Sequence, residues 1–89
     1  MNTFENIRFE AENGIFFLAT IDEITQLFFL DISLLEDMSA YKRITYQSTA
    51  LAAFKACQSN VYRMVINALK QNPHWDRNTP ISLLKSYLK

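Results

Sequence analysis

The chain has 89 residues, and its nine Lys and Arg balance nine Asp and Glu. That length holds one ordinary domain, read here as residues 1–89, and the zero net charge excludes a uniformly basic nucleic-acid binder. A content of 49% hydrophobic and 20% charged residues excludes a disordered chain, while one Gly, two Pro and one Cys exclude collagen-like, disulfide-framed and glycine-rich phosphate-loop designs.

The first residues, Met-Asn-Thr-Phe-Glu, have neither the basic start nor the apolar run of a signal peptide. The densest apolar runs, residues 15–19 and 27–30, fall far short of the roughly 20 needed to span a bilayer. With a single Cys, this predicts a cytoplasmic protein that does not engage membranes.

Ile7, Phe9 and Ala11 alternate with Arg8, Glu10 and Glu12, the period of a half-buried strand. Asn13-Gly14 follows, a pair that tolerates the positive φ of a tight hairpin turn. Residues 15–19 return as a second strand, but Phe16 and Leu18 are apolar as well as Ile15, Phe17 and Ala19. A strand apolar on both faces needs a cover on both. In so small a chain the second cover is expected from another subunit, which makes Phe16 and Leu18 candidate interface residues.

Thr20-Ile21-Asp22-Glu23 matches a capping box, and Ile24, Leu27, Phe28 and Leu30 recur at helical spacing. A helix is therefore predicted over 21–30. Residues 31–38 read as a further helical turn or two, and 41–46 as either a loop or a short strand. The strongest periodicity predicts one long amphipathic helix over 49–71, capped by Ser48 or Thr49 and ended by Asn72-Pro73. Its apolar arc holds Ala50, Leu51, Phe54, Cys57, Val61, Met64, Val65, Ala68 and Leu69, interrupted only by Gln58. The tail from Thr79-Pro80-Ile81 fits a helix by its cap and proline, or a short strand by its leucines.

The zero net charge conceals a split. Residues 1–37 carry eight acids and one base, a net −7, and residues 38–89 carry eight bases and one acid, a net +7. Three readings stay open: the halves neutralise each other within one fold, they meet across a self-association interface, or the basic half binds an anionic partner. For the last, Lys55, Arg63 and Lys70 share one outer sector of the long helix, though three cations are a thin footprint for nucleic acid.

Candidate chemistry is sparse. His74-Trp75-Asp76 places a general base beside a carboxylate, but the one thiol, Cys57, lies in the apolar arc rather than in an exposed site that would ionise it. One His and one Cys far apart do not make a zinc site, and no cofactor or metal is expected. Tyr41-Lys42-Arg43 with Tyr46 could stack on single-stranded bases or simply pin a loop.

The hairpin Ile7-Arg8-Phe9-Glu10-Ala11 with Gly14, the apolar strand into Thr20-Ile21-Asp22-Glu23, the helix opening Ala50-Leu51-Ala52-Ala53-Phe54 and the tail Ile81-Ser82-Leu83 ending in Leu88 carry a resemblance. The chain resembles a family of small bacterial proteins known only as domain of unknown function 1488. The resemblance implies a compact α+β fold and a strand at the tail; it implies no activity and carries over no catalytic residue. Ala56-Cys57-Gln58 stands where that family typically has an Arg, and Tyr87-Leu88 where it favours Asp-Leu.

The expectation is an α+β domain: an antiparallel β-hairpin, with room for a third strand, packed by one long amphipathic helix and one shorter helix. Its function is expected to be that of a non-enzymatic interaction or regulatory module acting as a homo-oligomer. The alternatives are binding of nucleic acid or another anionic partner through Lys55, Arg63 and Lys70, and inhibition of a larger protein complex.

Overall fold

The computed structural model describes residues 3–72 and 79–88. Three strands, β1 (Thr3–Glu10), β2 (Gly14–Ile21) and β3 (Ile24–Asp31), form an antiparallel meander. Three helices follow, α1 (Ile32–Met38), α2 (Gln47–Ala56) and α3 (Gln58–Gln71). A short β4 (Ile81–Ser82) then pairs parallel to β3, giving the sheet order β1-β2-β3-β4, and a 3-10 turn closes the chain at Lys85–Leu88. The α+β class is as expected.

The segment predicted as a helix over 21–30 is strand β3. Its inward positions Gln26, Phe28 and Leu30 are buried, and Thr25, Leu27 and Phe29 point the other way. Period two and period 3.6 both fit so short an apolar run, and the neighbour decides: β2 is apolar on both sides and takes a strand along its open edge. Thr20 does not cap a helix. Its hydroxyl lies 2.8 Å from that of Thr25 across a hairpin, and Asp22 and Glu23 form the two-residue loop at φ 51° and 71°. Positive φ at both loop residues is what a twisted hairpin demands.

The first hairpin does turn before Gly14, but through a three-residue loop, Ala11 to Asn13, with Glu12 at φ 68°. Gly14 itself lies in β2, where a side chain would overlap the Leu30 carbonyl oxygen. Further along β1, Asn6 takes φ 52° and the register slips between Glu5 and Arg8. This is a bulge, and Asn accepts the left-handed region more readily than most residues.

The single long helix predicted over 49–71 is two helices that meet at Cys57, whose φ of −104° and ψ of 14° leave the helical well. The break falls beside Gln58, the residue that interrupts the apolar arc. Of the predicted arc, Ala50, Phe54, Cys57, Val61, Met64, Val65 and Ala68 are buried, while Leu51 and Leu69 are half-buried; Ala53, outside the arc, is buried as well. α2 begins one residue ahead of Ser48, after Tyr46, with no side-chain cap, so neither Ser48 nor Thr49 serves as the predicted cap. α3 ends as expected at Asn72, whose amide nitrogen and side chain both donate to the Ala68 carbonyl. α1 is capped by the Asp31 carboxylate, which accepts from the Ser33 amide at 3.0 Å. The tail opens as the short strand of its second reading; Thr79 and Pro80 start no helix, and a 3-10 turn follows at Lys85–Leu88.

All three helices lie in the connection between parallel strands β3 and β4, so they share one face of the sheet. The core forms there, with Phe17 stacked 5.7 Å from Phe28 and edge-on to Phe54 at 5.1 Å. Phe4 closes the β1 side, 5.3 Å from Phe17 and 5.9 Å from Phe54.

Candidate interaction surface

One-sided coverage leaves the other face of the meander without any of the described helices. Register places its residues in cross-strand rows. Thr3, Thr20 and Thr25 form one row; Glu5, Leu18 and Leu27 the next; Arg8, Phe16 and Phe29 the third, continued by Ser82 of β4; Glu10, Gly14 and Asp31 the last. Phe16, Leu18, Leu27 and Phe29 thus make a four-residue apolar block, and each is half-buried by its neighbours. Phe16 and Phe29 lie 4.7 Å apart between ring centres. The Arg8 guanidinium stands 5.8 Å from the Phe16 ring centre, a cation–π contact.

The bulge shapes this face. In an unbroken strand Glu5 and Arg8, an odd number of residues apart, would point to opposite sides. The extra residue at Asn6 puts both on the outer face. It also leaves a shallow depression lined by Asn6, Ile7, Arg8, Leu18 and Leu27.

Phe16 and Leu18, the sequence-derived interface candidates, are brought together here, directly opposite Phe29 and Leu27. Leu27 and Phe29 are hidden in the sequence by the helical spacing of residues 21–30. The alternation of Thr25, Leu27 and Phe29 against Gln26, Phe28 and Leu30 was the available signal. Lys55, Arg63 and Lys70 are all exposed but divide between α2 and α3. Arg63 donates to the Leu88 carbonyl at 3.4 Å.

Other charged groups also engage backbone or rings. The Glu36 carboxylate accepts the Ile44 amide at 2.8 Å, and this contact holds the loop before α2 with Ile44 buried. Residues 41–46 are therefore a loop, with Tyr46 73% exposed at its end. His74-Trp75-Asp76 lies outside the described residues.

The chemistry of catalysis finds little support in the described part. Cys57 is buried at the junction of α2 and α3, and desolvation pushes its thiol above the ordinary range, the reverse of nucleophile activation. Among the described residues no cluster of three His, Cys, Asp or Glu could hold a metal ion. A cleft between β1 and α3 is lined by Thr3, Phe4, Gln58, Ser59 and Tyr62 and brings no acid–base pair together. No described helix is long and apolar enough to cross a membrane.

No protein-family model matches the chain, and no curated protein does. Among solved structures the chain is similar to a protein of unknown function from the DUF1488 family of Shewanella loihica PV-4. The TM-score is 0.62, with 19% identity over 91% of this chain and 89% of that one. The neighbour comes from the family that the sequence resembles, and at this identity the likeness is one of fold.

Proposed function

We propose that the protein is a non-enzymatic interaction module that works by self-association through the outer face of its sheet. One observation carries this: Phe16, Leu18, Leu27 and Phe29 form a contiguous apolar block on a face that no described helix covers. The four side chains are half-buried by one another, and the apolar surface they still show is contiguous and rimmed by polar residues, a mark of interaction sites. Edge pairing is a poorer route. β1 carries a bulge and Glu5, Arg8 and Glu10, and β4 is only two residues long, devices that blunt a sheet edge.

Three strands of eight residues span about 400 Å² per copy, below the size of a standard specific interface, so a weak, transient association is expected, with affinity no tighter than micromolar. Sedimentation velocity from about 10 to 500 µM tests the reading. A concentration-dependent dimer is expected, and Phe16→Glu, which puts a charge in the block, is expected to abolish it while the fold survives. A wild-type protein that stays monomeric at the upper concentration overturns the proposal.

A further inference from the structure

The outer face is self-complementary in charge as well as apolar, and this fixes how two copies would meet. Resting on the self-association reading above, we infer that the partner on this face is a second copy, related by a two-fold axis that crosses the strands between the Phe16–Phe29 row and the Leu18–Leu27 row. Such an axis exchanges the two rows. Phe16 of one copy then faces Leu18 of the other, and Phe29 faces Leu27, so large rings meet branched aliphatic chains rather than each other.

The same operation acts on β1. Arg8 ends the Phe16–Phe29 row and Glu5 ends the Leu18–Leu27 row, both exposed. Exchange of the rows sets Arg8 against the partner's Glu5 and Glu5 against the partner's Arg8, two opposite-charge pairs for one interface. The outermost rows match as well. Glu10 and Asp31 face the threonine row of Thr3 and Thr25 and meet no acid. A two-fold axis along the strands would instead lay the Arg8 end of its row on the Ser82 end, pairing neither charge. Sheets packed face to face keep their strands within about 30° of alignment, and the cross-strand axis allows this. The bulge at Asn6 makes the pattern: without its extra residue Glu5 and Arg8 would not share a face.

The test mixes two charge-reversed chains. R8E carries acids at both positions and E5R carries bases at both. Each alone replaces two attractions with two repulsions and is expected to dimerise at least about tenfold more weakly than wild type. Mixed in equal amounts, they satisfy both pairs and are expected to form a heterodimer within about threefold of wild-type affinity, weakening with added salt.

A second measurement does not depend on charge. In a Cys57→Ser background, oxidation of an equimolar mixture of Glu5→Cys and Arg8→Cys chains should give the mixed disulfide well above either homodimer. A wild-type dimer with neither heterodimer rescue nor preferential mixed cross-linking overturns this geometry and leaves self-association standing. A monomeric wild type overturns both.

Discussion

At the scale of single residues, Gly14 and Cys57 are the positions where chemistry leaves least freedom. Gly14 lies where β2 passes so close to Leu30 that any Cβ meets backbone, which cannot swing aside as a side-chain tip can. Gly14→Ala is expected to lower unfolding free energy by about 2–3 kcal/mol, read from the urea midpoint, because overpacking against backbone has no inexpensive relaxation. Cys57 is 6% exposed, and its thiol titrates above the ordinary 9.0 because burial penalises the thiolate. The unfolded chain therefore loses this proton first as pH rises. Stability is full below the unfolded value, falls as pH climbs from about 9 toward the folded value, and levels off beyond it. Cys57→Ser should remove that part of the alkaline slope in denaturation curves taken between neutral and high pH. Gln26 is the third constrained residue, 1% exposed, donating to the Leu27 and Thr79 carbonyls at 3.1 Å each. Its amide ties the start of the tail to the sheet interior.

At the scale of elements, the second hairpin shows where local sequence misleads. Thr20-x-x-Glu23 is a valid helix start by every local rule, yet Asp22 and Glu23 stand in the left-handed region. The strand wins because β2 needs a hydrogen-bonded neighbour along its whole length, and a helix over 21–30 would leave that edge open. A Glu at φ 71° is strained relative to glycine. Glu23→Gly is expected to raise stability by about 0.5–1 kcal/mol and the melting temperature by a few degrees in a thermal scan. A loss of stability would show that the Glu23 side chain is needed for something else. The α2–α3 pair was half legible. Most of the amphipathic arc is buried across both helices, because the break at Cys57 is a single residue and leaves the same side apolar. Gln58 within the arc was the sign of the break. The bulge at Asn6 had no signal in the alternation of Ile7, Phe9 and Ala11, because it lies just before that run.

At the scale of the whole molecule, the doubly apolar β2 was the most informative feature of the sequence. It implied a strand that needs a cover on both faces, and the structure places Phe16 and Leu18 on the face without a described helix. What the sequence did not show was the company they keep, since Leu27 and Phe29 depended on the strand that was read as a helix. Charged residues of both halves also have local partners. Glu36 and Asp31 hold backbone amides, while Arg63 holds a carbonyl and Arg8 a ring. Local geometry claims these charges before any long-range pairing of halves. If the outer face joins two copies, folding and association are linked. The melting temperature of the wild type should rise with protein concentration, while that of Phe16→Glu should not. Calorimetry over a hundredfold range of concentration reads the difference, and a flat wild-type profile counts against self-association.

The order of elements also has a consequence during synthesis. The meander is complete by Asp31, but the helices that cover its inner face run on to Gln71, and β4 pairs with β3 only after residue 81. A ribosome extends the chain by about 5–20 residues per second. For a few seconds, therefore, the residues of all three strands have been made before the helices that cover them. The protein must either delay the meander until α2 and α3 emerge or shelter it meanwhile. If the outer face joins two copies, neighbouring nascent chains on one message that form the meander early would meet through Phe16 and Phe29 before either has made its tail.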